Sequence, residues 1–172
     1  MKIEFMIGEL IKNAGLFNSI FLTYDGNNDF IKWKPNPNKW CLLEILCHLI
    51  DEEKEDFRTR VKFAMENSTS QPPSIDPQGW VISRNYLNQN YTQKCNEFIK
   101  ERTNSIKRLN SLKNEDWNAF FTHLKFGKMT AHYMLTNWIA HDYLHIKQIT
   151  KLRFDYLTHR SGENLNYTGN WT

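Results

Sequence analysis

Trp138-Ile139-Ala140-His141-Asp142-Tyr143-Leu144-His145-Ile146-Lys147-Gln148 places two histidines four residues apart within an apolar pattern of helical period. At about 100° per residue their side chains project about 40° apart, one turn above the other, so both imidazoles can grip one ion. The stripe that carries them is Met134, Leu135, Trp138, His141, Asp142, His145, Ile149 and Leu152, the buried face of a helix predicted over 130–152. His132 lies nine residues before His141, about 180° around that helix, and points away from the pair. Two imidazoles turned toward a core need partners, because an unpaired buried polar group costs about 1–3 kcal/mol. A divalent metal satisfies both at once.

A second helix is predicted from near Trp40 to around Asn67, with Leu42, Leu46, Leu49, Phe57, Val61 and Ala64 on its buried face. His48 sits on the stripe Cys41, Ile45, His48, Glu52 at the edge of that face, placed to point into the same core. The run Asp51-Glu52-Glu53-Lys54-Glu55-Asp56, with Arg58 and Arg60, is expected to form the solvated side. A first helix is predicted over 2–23, stopping at Asp25-Gly26-Asn27-Asn28-Asp29, and a third from Val81 or Leu87 to Leu112. Pro35 and Pro37 exclude a helix from the connector Phe30 to Lys39. Pro72, Pro73 and Pro77 mark a loop from Ser68 to Gln78, long enough to cover a site. The stretch from Asn114 to Lys128 reads as irregular despite Trp117, Phe120, Phe121 and Phe126, and almost nothing reads as a strand. The fold class is therefore all-α, a four-helix bundle with long connecting loops. One domain is expected over 1–157, followed by a polar C-terminal tail over 158–172 that Tyr167 and Trp171 could anchor.

The 22 basic and 19 acidic residues leave a net charge of only +3, interspersed rather than blocked, so nucleic acid is not an expected partner. Cys41, Cys47 and Cys95 form no CxxC and are read as reduced, buried thiols, which fits a cytoplasmic location. The start of the chain lacks a signal-peptide core, and no apolar run approaches the roughly 18 residues of a membrane span. Six Trp, seven Tyr and eleven Phe favour deep pockets as well as a core.

Three neutral imidazoles suit Zn²⁺, Ni²⁺ or Fe²⁺ and leave an open coordination position. That position could acidify a water, to a pKa of about 7 on zinc, or take an incoming thiolate. Asp142 and Gln148 are placed to fix an imidazole tautomer by accepting its second N–H. Glu52, four residues past His48, is a further outer partner, or with Asp51 a fourth ligand that would close the site. Trp33, Trp40, Trp80 and Trp138 are candidate walls for an apolar substrate. Arg58, about 80° from His48 on a regular helix, either guards the mouth for an anionic group or pairs with neighbouring acids. His123 and His159 fall in loop and tail segments and are read as ordinary surface histidines.

Trp40-Cys41-Leu42-Leu43-Glu44-Ile45-Leu46-Cys47-His48-Leu49-Ile50-Asp51-Glu52-Glu53 resembles a signature of the DinB-like family, which includes the bacillithiol and mycothiol S-transferases. His141-Asp142-Tyr143-Leu144-His145-Ile146-Lys147-Gln148 resembles that family's closing signature, and Phe126-Gly127-Lys128-Met129-Thr130 its lead into the last helix. The resemblance implies an up-down-down-up bundle with a metal held by His48, His141 and His145. It also implies a thiol-dependent S-transferase or a hydrolase acting on a small molecule, with a low-molecular-weight thiol as co-substrate in the first case. The alternative is a non-enzymatic, stress-related or ligand-binding bundle with a structural metal. A homodimer through Ile3, Phe5, Ile7 and Leu10 is compatible with either. The long proline-bearing loop, the Phe120-Phe121 segment and the C-terminal extension depart from the family pattern and bear on the substrate pocket rather than on the metal.

Overall fold

Four long helices carry the chain in the computed structural model, which describes residues 2–169 and 171. They are α1 (Ile3–Thr23), α2 (42–65), α3 (Tyr91–Ser111) and α4 (Ala131–Ser161). Their starts are set locally. The Cys41 N–H donates to Glu44 Oε2 at 2.9 Å at the head of α2. Asn90 Oδ1 accepts from the Gln93 N–H at 2.9 Å, and Thr130 Oγ1 from the Tyr133 N–H at 3.0 Å, satisfying donors that a helix leaves open.

α4 ends at Gly162, whose φ of +68° is the left-handed cap conformation glycine adopts without cost. It therefore runs to Ser161 rather than Leu152, and 158–161 belong to the helix instead of the expected tail. No breaker intervenes before Gly162, and His159 and Tyr156 pack on Trp33, with ring centroids 5.4 and 5.3 Å away. α3 begins later than the apolar pattern implies. A separate short helix, Pro77–Ser83, and a 3-10 turn, Tyr86–Asn88, precede it, with Asn85 between them at a φ of +50°.

Cross-helix pairs give the directions. α1 and α3 are antiparallel: Phe17 meets Phe98, ring centroids 5.4 Å apart, and the Tyr91 hydroxyl donates to the Phe21 carbonyl at 3.0 Å. α1 and α4 are parallel, since Asn13 meets Asp142 and Tyr24 meets Arg153. α2 and α3 are also parallel, with Lys54 against Glu97 and Arg58 against Ser105. α2 and α4 are antiparallel, with His48 against His145 and Phe57 against Trp138. This is an up-down-down-up bundle. Its parallel α2–α3 pair requires a connection the length of the bundle, supplied by 66–90.

The segment expected to be irregular contains an antiparallel hairpin, β1 (Phe120–His123) and β2 (Gly127–Thr130). Phe121 pairs with Met129, and both turn inward onto the core. Strands of four residues are too short for alternation to announce them.

Buried side chains form two apolar clusters. One holds Phe17, Phe21, Phe98, Leu46 and Ile149, and the other Met6, Leu10, Phe57, Met134 and Trp138. Between them lies a polar layer drawn from all four helices. Arg102 donates to both oxygens of Asp142 at 2.7 and 2.8 Å and to Glu53 Oε2 at 2.9 Å. Asn13 donates to Asp142 at 3.0 Å, and the Trp138 indole to Glu53 at 3.2 Å.

That layer corrects the view of 51–56 as a solvated face: Asp51, Glu52, Glu53, Asp56 and Arg60 are all buried. Asp51 and Glu53 draw their cations from distant chain, Arg84 and Arg102, while Asp56 has Arg60 one turn along. The backbone adapts as well, because Glu52–Phe57 is a π-helical turn. Over nine residues of regular helix His48 and Phe57 would stand about 180° apart, and one extra residue per turn reduces this to roughly 80°. Both can then reach His141, whose ring centroid lies 5.3 Å from that of His48 and 5.1 Å from that of Phe57. The same rotation carries Arg58 to about the opposite side from His48.

Candidate metal centre

His48 on α2 and His141 and His145 on α4 converge at the level of the polar layer, with ligand nitrogens all within 4.8 Å of one another. His141 Nε2 lies 3.3 Å from His48 Nε2 and 3.1 Å from His145 Nε2. Nitrogens about 2.0–2.1 Å from a tetrahedral ion stand about 3.3 Å apart, so these spacings fit one cation. Three mutually facing nitrogens share too few protons to bond one another fully, whereas one cation serves every lone pair.

The protonation states agree. Burial, reinforced by repulsion between the rings, depresses His48 to about 3 and His141 to about 2, and burial also lowers His145. At neutral pH all three are uncharged ligands. The Gln148 amide oxygen lies 2.7 Å from His145 Nδ1 and can only accept, which puts that ring's proton on Nδ1 and frees Nε2. His48 Nδ1 is buried with no hydrogen-bond partner, and Glu52 Oε1, also without one, lies 3.9 Å away.

The trio opens on a cavity of about 440 Å³ whose walls include Trp40, Gln78, Leu144 and Gln148. The Trp40 ring lies 4.8 Å from that of His48. Lys39 and Gln78 line the cavity too, and the proline-bearing loop thus reaches the site through Gln78. Neither was legible beforehand, because their place depends on how the connectors fold back. Neither Asp51 nor Glu52 joins the cluster; Asp51 is engaged by Tyr86 and Arg84.

Other expected site residues lie elsewhere. Asp142 is fully buried and turned to Arg102 and Asn13, away from the imidazoles. Trp33 packs on Tyr156 and His159, and Trp80 lies in the core with the Arg84 guanidinium 4.1 Å above its ring. Trp138 stacks on Phe57, and both Trp138 and Arg58 line a separate cavity between α2 and α3. Arg58 pairs with Glu101 at 2.7 Å, a partner on α3 rather than among the neighbouring acids. The π turn rotates it there. His123 uses Nδ1 to accept the N–H groups of Lys125 and Phe126, ordering the hairpin turn.

A mostly helical up-down-down-up bundle, with three histidines from two antiparallel helices spaced for one cation, defines the class. The model of the DinB superfamily matches residues 25–149, and the chain belongs to that superfamily. It is similar in structure to YfiT from Bacillus subtilis, described as a probable metal-dependent hydrolase with an unusual four-helix bundle topology. The TM-score is 0.74 at 16% identity, over 94% of this chain and 89% of that one, a likeness of fold. No curated protein matches the sequence. No helix among the described residues is long and apolar enough to cross a membrane.

Proposed function

We propose that this protein is a metal-dependent hydrolase of small molecules, with His48, His141 and His145 holding a divalent cation. The observation that carries the reading is the set of Nε2 spacings, 3.1 and 3.3 Å, at the wall of a cavity large enough for a substrate group. A cation held by three neutral nitrogens supplies Lewis acidity to a water or a thiol at neutral pH. The chain contributes the rest. Gln148 fixes the His145 tautomer, Trp40 and Leu144 shield the site, and burial keeps all three rings unprotonated.

Four features support an enzyme over a purely structural metal site. Three protein ligands leave a position open, the cavity meets it, and the two nearby acids are turned aside or outside the cluster. The description of YfiT points the same way. Thiol transfer uses the same open position, so a low-molecular-weight thiol is the second co-substrate class to assay. Zinc, nickel and iron are the cations proposed. Three buried thiols, none paired with another, suit a reducing cytoplasm.

The test is metal analysis of untagged protein, then hydrolysis of a panel of small esters and amides, with and without chelator and with and without added thiol. Chelator-sensitive turnover without thiol supports hydrolysis. Turnover that requires thiol moves the assignment to transfer, and the absence of bound ion after reconstitution overturns both.

A further inference from the structure

A second cavity, of about 500 Å³, shares His141 and Leu144 with the one over the histidines and extends along α4 toward its N-terminus. Phe57, Phe126, Met129 and Met134 make its walls mainly apolar. Two polar residues on its rim are occupied: Asn137 donates to the Tyr133 carbonyl, and His123 caps its own turn. The charged exception is Arg60, with Asp56 beside it.

The Arg60 side chain is nine-tenths buried, at 9% exposure. Its contact is Asp56 Oδ1 at 2.8 Å, and the two atoms are not aligned as a hydrogen bond. The guanidinium makes no hydrogen bond among the described residues: its Nη1 is buried without a partner, and the group lines the cavity with donors free. Burying donors unpaired is unfavourable, and a ligand oxygen relieves it. Asp56 decides which oxygen. Beside it the pair is close to neutral, so a carboxylate gains little net attraction and faces a like charge, while a neutral carbonyl accepts without that repulsion.

We propose that this chamber is the substrate subsite, and that it takes an uncharged molecule with an aromatic or branched apolar body whose carbonyl oxygen accepts from Arg60. Leu144, 60% exposed, forms the saddle over which such a substrate presents its reacting bond to the histidines. The substrate class rests on the hydrolytic reading of those histidines; the binding preference of the chamber does not. Arg60 is a specificity-determining residue here, distinct from the groups that meet the reacting atoms.

The test is calorimetric titration of the full chain with phenylacetamide and phenylacetate. Phenylacetamide is expected to bind, and phenylacetate at least tenfold more weakly. The comparison is repeated in His48→Asn, where a metal does not attract the carboxylate. Arg60→Met is expected to weaken the amide at least tenfold, the scale of a hydrogen bond to a charged group. Ala140→Trp places an indole in the chamber from an exposed helix position and is expected to abolish amide binding. If Arg60→Met does not fold, Ala140→Trp decides. Equal or tighter binding of phenylacetate in His48→Asn, or amide binding that survives Ala140→Trp, overturns the proposal. His48→Asn separates the two claims, since it removes turnover but leaves the amide affinity within about twofold. If no protein turns over while this binding pattern holds, the hydrolytic reading fails and the subsite stands.

Discussion

Replacing Asp142 with asparagine keeps the shape of the side chain and removes its charge, which isolates the buried polar layer from the metal centre. Asp142 is fully buried and accepts three hydrogen bonds, from Asn13 at 3.0 Å and from Arg102 at 2.7 and 2.8 Å. In Asp142→Asn an amide NH₂ confronts the Arg102 guanidinium, which is itself 1% exposed and keeps one anionic partner, Glu53. Breaking one side of a buried pair costs about 3–5 kcal/mol, because a charge is left without compensation. For a chain of this size that corresponds to a fall in melting temperature of roughly 6–20 °C. With a urea m-value near 2 kcal/mol/M, the midpoint falls by about 1.5–2.5 M. Urea titration followed by circular dichroism measures this, and metal analysis of the same samples should show unchanged occupancy. The double variant Arg102→Met/Asp142→Leu should lose less than Asp142→Asn, since the orphaned cation is gone. Glu53, whose carboxyl burial holds above its usual range, can then take a proton. A loss below about 1 kcal/mol, or a loss of metal at unchanged stability, would refute the reasoning and return Asp142 to the imidazoles.

Three further outcomes are expected. His141→Ala/His145→Ala should purify without bound metal yet retain the wild-type helical spectrum; a collapsed spectrum would make the histidines structural. Metal-free protein should lose stability as pH falls from about 6.5 toward 3. His48 and His141 resist protonation when folded, with values near 3 and 2 against 6.5 unfolded, so over that window the unfolded chain binds more protons. His48→Asn should flatten the dependence by up to about 1.4 kcal/mol per pH unit, and an equal unfolding free energy at pH 7 and 5 in urea titrations of the unsubstituted protein would contradict the burial argument. Trp33→Ala should lower stability by about 1–3 kcal/mol through its lost packing on Tyr156 and His159, while leaving metal content and turnover unchanged.

The four helices and the three histidines are legible in the sequence because both are written in helical period. A four-residue spacing sets His141 over His145 on one stripe. The start of α3 is less legible, because the apolar pattern reaches back to Val81 while the helix begins at Tyr91, behind the Asn90 cap. The hairpin at 120–130 is not legible, since four-residue strands carry no readable alternation. Neither is the extension of α4, whose end waits for Gly162 rather than for the end of the apolar stripe.

The acidic run of α2 shows where local reading stops. Composition makes Glu52, Glu53 and Asp56 look solvated, and any window of α2 supports that view. Asp51 and Glu53 are buried because Arg84 and Arg102, more than 25 residues away, close on this run from other elements, whereas Asp56 has Arg60 one turn along. The sequence alone determined that helices would form, which faces would be apolar, and which nitrogens could share an ion. Only the tertiary structure decided the phase of α2 through its π turn. That phase put Phe57 beside His141, sent Arg58 to α3, and left Arg60 in a chamber next to the histidines. The physical reason is that helix and cap are short-range equilibria, whereas burying a charge depends on partners that only the assembled bundle brings within reach.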